Sequence, residues 1–162
     1  NFDTWGNFPL IFFLILMFIG GCAGSTTCGI KVFRFQILYA AAKTQFENLS
    51  QPHGVFIPYY NGNPISDEVI KSVLSFFFVF GMTFALLAIS LALLGLDFLT
   101  SISGAASAIA NVGPGLGPMI GPDGNYDSLP DAAKWLLSAG MLLGRLELFT
   151  VMVLFTRAFW RA

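Results

Sequence analysis

Residues 110–117 read ANVGPGLG, with Gly113, Gly115 and Gly117 set around Pro114 and Leu116. Glycine opens φ angles that other residues avoid and proline removes a backbone donor, so this stretch forms neither regular helix nor strand. What such a chain offers chemically is its carbonyl oxygens. Held open by glycine, successive carbonyls can be aimed at one axis and replace the hydration shell of a cation, with no carboxylate required. A second unusual stretch, GGCAGSTTCG at residues 20–29, combines Gly20, Gly21, Gly24 and Gly29 with Ser25, Thr26 and Thr27. Each internal glycine costs a helix about 1 kcal/mol relative to alanine, so a helix entering this stretch should break. A third feature is the pair Arg145 and Glu147 in an otherwise apolar run, at a spacing that keeps the two from meeting each other on a helix.

Other chemistry is poorly supported. His53 stands alone in the polar connection QPHGVFIPYYNGNP and reads as solvated. No Ser/His arrangement, paired Asp or metal-ligand set occurs within the apolar runs, and GGCAGSTTCG lacks the Gly-Lys-Ser/Thr ending of a phosphate loop. The sequence therefore predicts no enzyme and no bound organic cofactor. Cys22 and Cys28 have no histidine nearby to complete a zinc set and read as two reduced, buried thiols. A net charge of −1, with no basic patch, excludes a nucleic-acid partner.

These segments must be positioned by elements that suit lipid. Apolar residues make up 56% of the chain and charged ones 10%, with a mean hydropathy of +0.74, far from soluble averages. Three stretches are long enough to cross a bilayer, which takes about 20 residues. Residues 72–96 carry no charge and predict a simple span. The first stretch, residues 8–38, is interrupted by the glycine-rich segment, and in lipid such a break survives only against protein or a watery cavity. The third, residues 132–160, holds Arg145 and Glu147 at its middle, where a charge costs about 2.5–3.5 kcal/mol on insertion scales and must face protein or water.

Between the second and third spans, residues 102–110 are too short to cross. Gly104, Ala105, Ala106, Ser107, Ala108 and Ala110 would let a short helix pack closely and re-enter the membrane, delivering 111–117 to its interior as extended chain. A helix C-terminus aimed there adds about half an elementary negative charge, which favours a cation. Gly81 and Gly95 read as close-packing sites. Lys31, Arg34, Lys43, Lys71, Arg157 and Arg161 collect on one side, which the positive-inside rule makes cytoplasmic. Asp3, Asp97, Asp123, Asp127 and Asp131, with Lys134, collect on the other. The chain starts at Asn1 with no initiating Met or signal pattern and reads as a piece of a longer one.

GGCAGSTTCGIKV, ANVGPGLG and GRLELFT, in this order and spacing, resemble the TrkH/TrkG/KtrB family of potassium transporters over the whole chain. The resemblance implies an all-α integral membrane fold of helix, re-entrant pore loop, helix repeats. Here it would comprise the end of a third repeat (1–46), a cytoplasmic connection (47–65) and a whole fourth repeat (66–162). Within the fourth, it implies a helix at 66–96, a pore helix at 100–110, a filter at 111–117, an outer loop at 118–131 and a last helix at 132–160.

Carried over, Asn111, Val112, Gly113, Pro114 and Gly115 form one filter strand for potassium, with the carbonyls of Asn111 and Val112 facing the ion. Phe2, Asp3 and Trp5 resemble the descent from a preceding filter strand. Gly20, Gly21, Gly24, Ser25, Thr26 and Gly29, with Lys31, Arg145 and Glu147, belong to an intramembrane gate. Thr27 and Cys28 depart from the glycines usual in the family and imply a stiffer loop. Implied partners are potassium, membrane lipid, a second copy of the chain and a cytosolic nucleotide-binding regulatory subunit of the TrkA/KtrA type; the implied location is the bacterial plasma (inner) membrane, crossed several times. The alternative is a secondary transporter that binds a small solute at its broken helices, with Arg145 gripping an anion.

Overall fold

The computed structural model describes residues 5–51 and 54–146. Phe2, Asp3, His53, Glu147, Arg157 and Arg161 lie outside the described residues, and so does the part of the last helix expected beyond 146. The described chain is helical: α1 Asn7–Phe18, α2 Val32–Ser50, a hairpin of β1 Tyr59–Tyr60 and β2 Asn63–Pro64, α3 Asp67–Leu93, α4 Phe98–Ala110 and α5 Asp131–Arg145.

The long apolar run becomes α3, 27 residues or about 40 Å at 1.5 Å per residue. It is the one helix among the described residues long and apolar enough to cross a membrane. Asp67 and Glu68 occupy its first turn, where carboxylates complement the helix dipole. Val73, Phe76, Phe80, Leu87 and Leu91 are buried along one face, at the three- and four-residue spacings of a single helical stripe. The opposite face leaves Leu74, Phe78, Met82, Leu86 and Leu93 exposed.

Gly95 ends this helix. It has φ +86, and a Cβ built there meets nothing within 4 Å, while Leu96 N donates to Leu91 O at 3.5 Å and Gly95 N to Ala92 O at 3.0 Å. This is a glycine-terminated helix end, which corrects the packing role expected of Gly95. Gly81 likewise has open space around it among the described residues.

The centre of the molecule is α4. Thr100 and Ser101, and then every residue from Ser103 to Ala110, are buried, because alanine, serine and glycine let α1, α3 and α5 approach its backbone. The Asp97 carboxylate caps its start, accepting from Thr100 N at 3.2 Å. Two glycines on α5 complete the fit. A Cβ at Gly140 would lie 2.7 Å from Leu87 Cδ2, and one at Gly144 would collide with Ile109 O. Gly140 and Gly144, four apart on one face, are what allow α5 to lie against α3 and α4.

The first apolar stretch divides into α1 and α2, with the interruption running from Ile19 to Lys31. Its two arms are joined: Gly20 N donates to Ile30 O at 2.9 Å, Ile30 N to Phe18 O at 2.9 Å and Val32 N to Gly21 O at 3.1 Å. Phe18 stacks edge-on against Phe84, with centroids 5.2 Å apart, and against Phe80, at 6.0 Å. Phe35 of α2 meets Phe77 at 5.6 Å. Such aromatic pairs are each worth about 0.5–1.5 kcal/mol beyond area burial, and they clamp both sides of the interruption to α3.

The connection differs from expectation in its start and in its content. The connection expected from residue 47 begins inside α2, which continues to Ser50, and it contains the β1–β2 hairpin. Tyr60 pairs with Asn63 across Asn61 and Gly62, at φ 48 and φ 80. Both central residues have positive φ, as a tight two-residue hairpin turn demands. Among the described residues the fold is all-α apart from this hairpin.

Candidate functional site

The segment after α4 starts with a helix stop. Asn111 adopts φ 52, ψ 44, a left-handed conformation that asparagine tolerates better than most residues. Val112 N donates to Ser107 O at 3.0 Å and Asn111 N to Ala108 O at 3.3 Å, so the last turn of α4 is satisfied. The Asn111 side chain then donates from Nδ2 to Met141 O at 2.9 Å, which ties the head of the segment to α5.

Two serines one turn apart on α4 hold the rest. Ser107 Oγ accepts from Gly113 N at 3.2 Å and donates to Gly113 O at 3.0 Å. Ser103 Oγ, fully buried, accepts from Leu116 N at 2.9 Å. Gly113 has φ +114, a conformation L side chains rarely adopt, with nothing within 4 Å of a built Cβ. Gly115 is buried, and a Cβ there would collide with Ile120 Cδ1. Its N–H donates to Ile120 O at 2.6 Å.

This geometry divides the five expected filter residues. Asn111, Val112 and Pro114 line an open cavity of about 490 Å³. Gly113 and Gly115 do not line it. The Gly113 carbonyl accepts from the Tyr126 hydroxyl at 2.6 Å, and Tyr126 does not line this cavity either.

Across the same cavity stands the glycine-rich loop, through Gly20, Gly21, Thr26, Thr27 and Cys28, together with Arg145. A second cavity, of about 250 Å³, lies on the loop's other side. Ser25, Thr26, Thr27, Cys28, Gly29, Lys31, Arg34 and Arg145 line it with Phe76, Phe80 and Gly144. Thr26, Thr27, Cys28 and Arg145 therefore form the wall between two cavities. Gly24 lines neither.

The wall is held by polar contacts. Arg145 Nη1 donates to Thr26 O at 2.9 Å and reaches Cys28 Sγ at 3.8 Å. Lys31 Nζ donates to Ala23 O at 3.4 Å. Thr27 acts as a clasp: its Oγ1 accepts from Gly21 N at 2.9 Å and donates to Ser25 Oγ at 3.0 Å, while its N–H donates to the same Ser25 oxygen at 3.2 Å. Glycine can make neither hydroxyl contact. Gly20 has no room for a side chain, since a Cβ would sit 2.6 Å from Cys28 O. Arg34 lies over the Phe76 ring at 3.8 Å, close enough for a cation–π contact.

Both cysteines are free, but the expectation that they are buried is corrected. Cys22 is exposed and Cys28 half-buried, because both sit in the non-helical loop between α1 and α2, where Cys28 lines both cavities. Ser103, Tyr126, Gly140 and Gly144 were not singled out from the sequence, and Ser107 was read only as a small packing residue. The four-residue spacing of Ser103 and Ser107, and of Gly140 and Gly144, was the available signal. For Tyr126, in a loop 13 residues beyond Gly113, there was none.

The TrkH family of cation transport proteins matches residues 1–161. The chain is 52% identical over 161 residues to the Trk system potassium uptake protein TrkI of Halomonas elongata, across 99% of this chain and 33% of that protein. It is 37% identical over 162 residues to the Trk system potassium uptake protein TrkG of Escherichia coli, across 100% of this chain and 33% of that protein. The crystal structure of the potassium transporter TrkH from Vibrio parahaemolyticus superposes with a TM-score of 0.87 at 34% identity, covering 98% of this chain and 33% of that one. The chain thus spans about a third of the length of these relatives.

Proposed function

This chain belongs to the TrkH family of cation transport proteins, and on that premise we propose that it forms part of the membrane-embedded path of a potassium uptake protein. The relatives it resembles are named for potassium uptake. In this reading Asn111–Gly117 is one strand of a selectivity filter, α4 its re-entrant pore helix, and the Ile19–Lys31 interruption an intramembrane gate. Residues 1–46 end one pore repeat, 47–65 connect on the cytoplasmic side and 66–162 make the next. The exposed apolar face of α3 would meet lipid or further repeats, in a multi-pass protein of the bacterial plasma membrane. A second copy of the whole protein and a cytosolic nucleotide-binding regulatory subunit are its proposed partners.

One observation carries the reading. Asn111, Val112 and Pro114 line the same cavity as a loop that also borders a second cavity. Carbonyl oxygens substitute for a potassium hydration shell without a formal charge, and a stretch of chain between two cavities is an obstruction that can move. Thr26 O already occupies Arg145 Nη1, which weakens the alternative of an anion held by that side chain.

The test is Gly113→Ser in the full-length protein, reconstituted in vesicles. A side chain at φ +114 strains the backbone by about 1–3 kcal/mol, and the preference for potassium over sodium should fall by roughly tenfold on that scale. An unchanged ion preference, with unchanged growth on limiting potassium, refutes the filter assignment.

A further inference from the structure

The peptide plane between Gly113 and Pro114 has a single polar handle. Proline contributes no N–H to it, so only the Gly113 carbonyl can anchor it. Gly113 itself imposes little, having no Cβ, a φ of +114 and open space around it. The proline ring holds φ of Pro114 at about −65°, so the direction of this carbonyl is set by ψ of Gly113, a torsion that the missing Cβ leaves permissive.

Two hydroxyls hold it. Tyr126 donates to Gly113 O at 2.6 Å and Ser107 at 3.0 Å. The tyrosine is well supported for the task. Its ring packs on the core that contains Leu129 and Ala133. The loop is pinned on either side by Gly124 N to Gly121 O at 3.0 Å, Leu129 N to Tyr126 O at 3.3 Å and Asp127 N to Asn125 Oδ1 at 3.1 Å. Lys134 Nζ adds a bond to Asp127 O at 3.2 Å. Burial pushes the Tyr126 phenol above its ordinary range, against a smaller lowering by Ser107, so the donor keeps its proton at neutral pH.

We propose that Tyr126 is a positioning residue for ion selectivity: from behind, its hydroxyl fixes the Gly113–Pro114 peptide plane and so decides which carbonyls the filter segment presents to the ion. The proposal rests on the filter reading above. A loop expected only to connect the pore helix to the last helix would then set the selectivity of the segment between them.

Tyr126→Phe in the full-length protein removes the hydroxyl and keeps the ring. Potassium and sodium uptake are measured in vesicles, with the melting temperature of the purified protein as the check on folding. The potassium-over-sodium preference should fall about threefold to tenfold, the change that corresponds to one hydrogen bond of ordinary net strength, while the melting temperature stays close to that of the parent. Ser107→Ala, which removes the second donor, should shift the preference in the same direction and serves if the Phe variant fails to fold. Gly113→Ser is measured beside them. If it lowers the preference while folded Tyr126→Phe and Ser107→Ala variants do not, the positioning role is overturned and the filter stands. If none of the three changes the preference, the filter reading falls and the role of Tyr126 with it.

Discussion

Arg145 donates to a carbonyl 119 residues away in sequence, and that bond decides what the side chain can do. A guanidinium has five donors in a fixed fork and does not lose its charge in proteins. Placed on Thr26 O and Cys28 Sγ, it both tethers the loop and sets a positive charge beside the cavity that Asn111 and Val112 line. Arg145→Ala should therefore raise basal potassium flux in vesicles and weaken control by a cytosolic regulatory subunit, as measured by uptake with and without that subunit. A folded variant whose flux and regulation match the parent would leave Arg145 as a structural tether only. The cost of a charge in an apolar run made Arg145 conspicuous in the sequence. Its acceptor was not legible, because nothing local links residue 145 to residue 26. The same limit hid Tyr126, whereas the backbone freedom of Gly113 could be read directly from Gly-Pro-Gly.

At the scale of elements, legibility followed periodicity and length. The uncharged run became α3 within a few residues of its expected ends, and the four glycines of 20–29 broke the first apolar stretch where helix propensity said they would. The hairpin was legible only at its turn, where Asn61-Gly62 is a strong signal, since its strands are two residues each and too short to show an alternating pattern. Gly95 was misread because a glycine near a helix end serves as a stop as readily as a packing site, and only its φ separates the two. The paired glycines of α5 lead to a prediction at this scale. Gly144→Ala sets a Cβ against Ile109 O, a backbone atom that cannot rotate aside, and should cost about 1–3 kcal/mol, as overpacking does. A lowered denaturation midpoint for the detergent-solubilised full-length protein is the expected result; an unchanged midpoint would mean that α4 and α5 sit further apart than this.

For the whole molecule, the proposed reading gives this chain one side of a path. Residues of the segment after α4 line a cavity, and residues of the Ile19–Lys31 loop line it too while bordering a second one. In that reading selection and obstruction would fall on different residues, held by different hydrogen bonds: Ser103, Ser107 and Tyr126 for the first, Thr27, Lys31 and Arg145 for the second. The remaining two thirds of a Trk-type protein would supply the other walls, and no pattern in these 162 residues describes them. The most direct test is to delete residues 23–27, which removes the Ser25 and Thr27 clasp and the Arg145 acceptor, and to measure potassium and sodium uptake by the full-length protein in vesicles. The account predicts that potassium flux rises severalfold while the preference for potassium over sodium is retained. A fall in flux with the protein still folded would contradict it, since the loop would then be scaffold for the path and not its barrier.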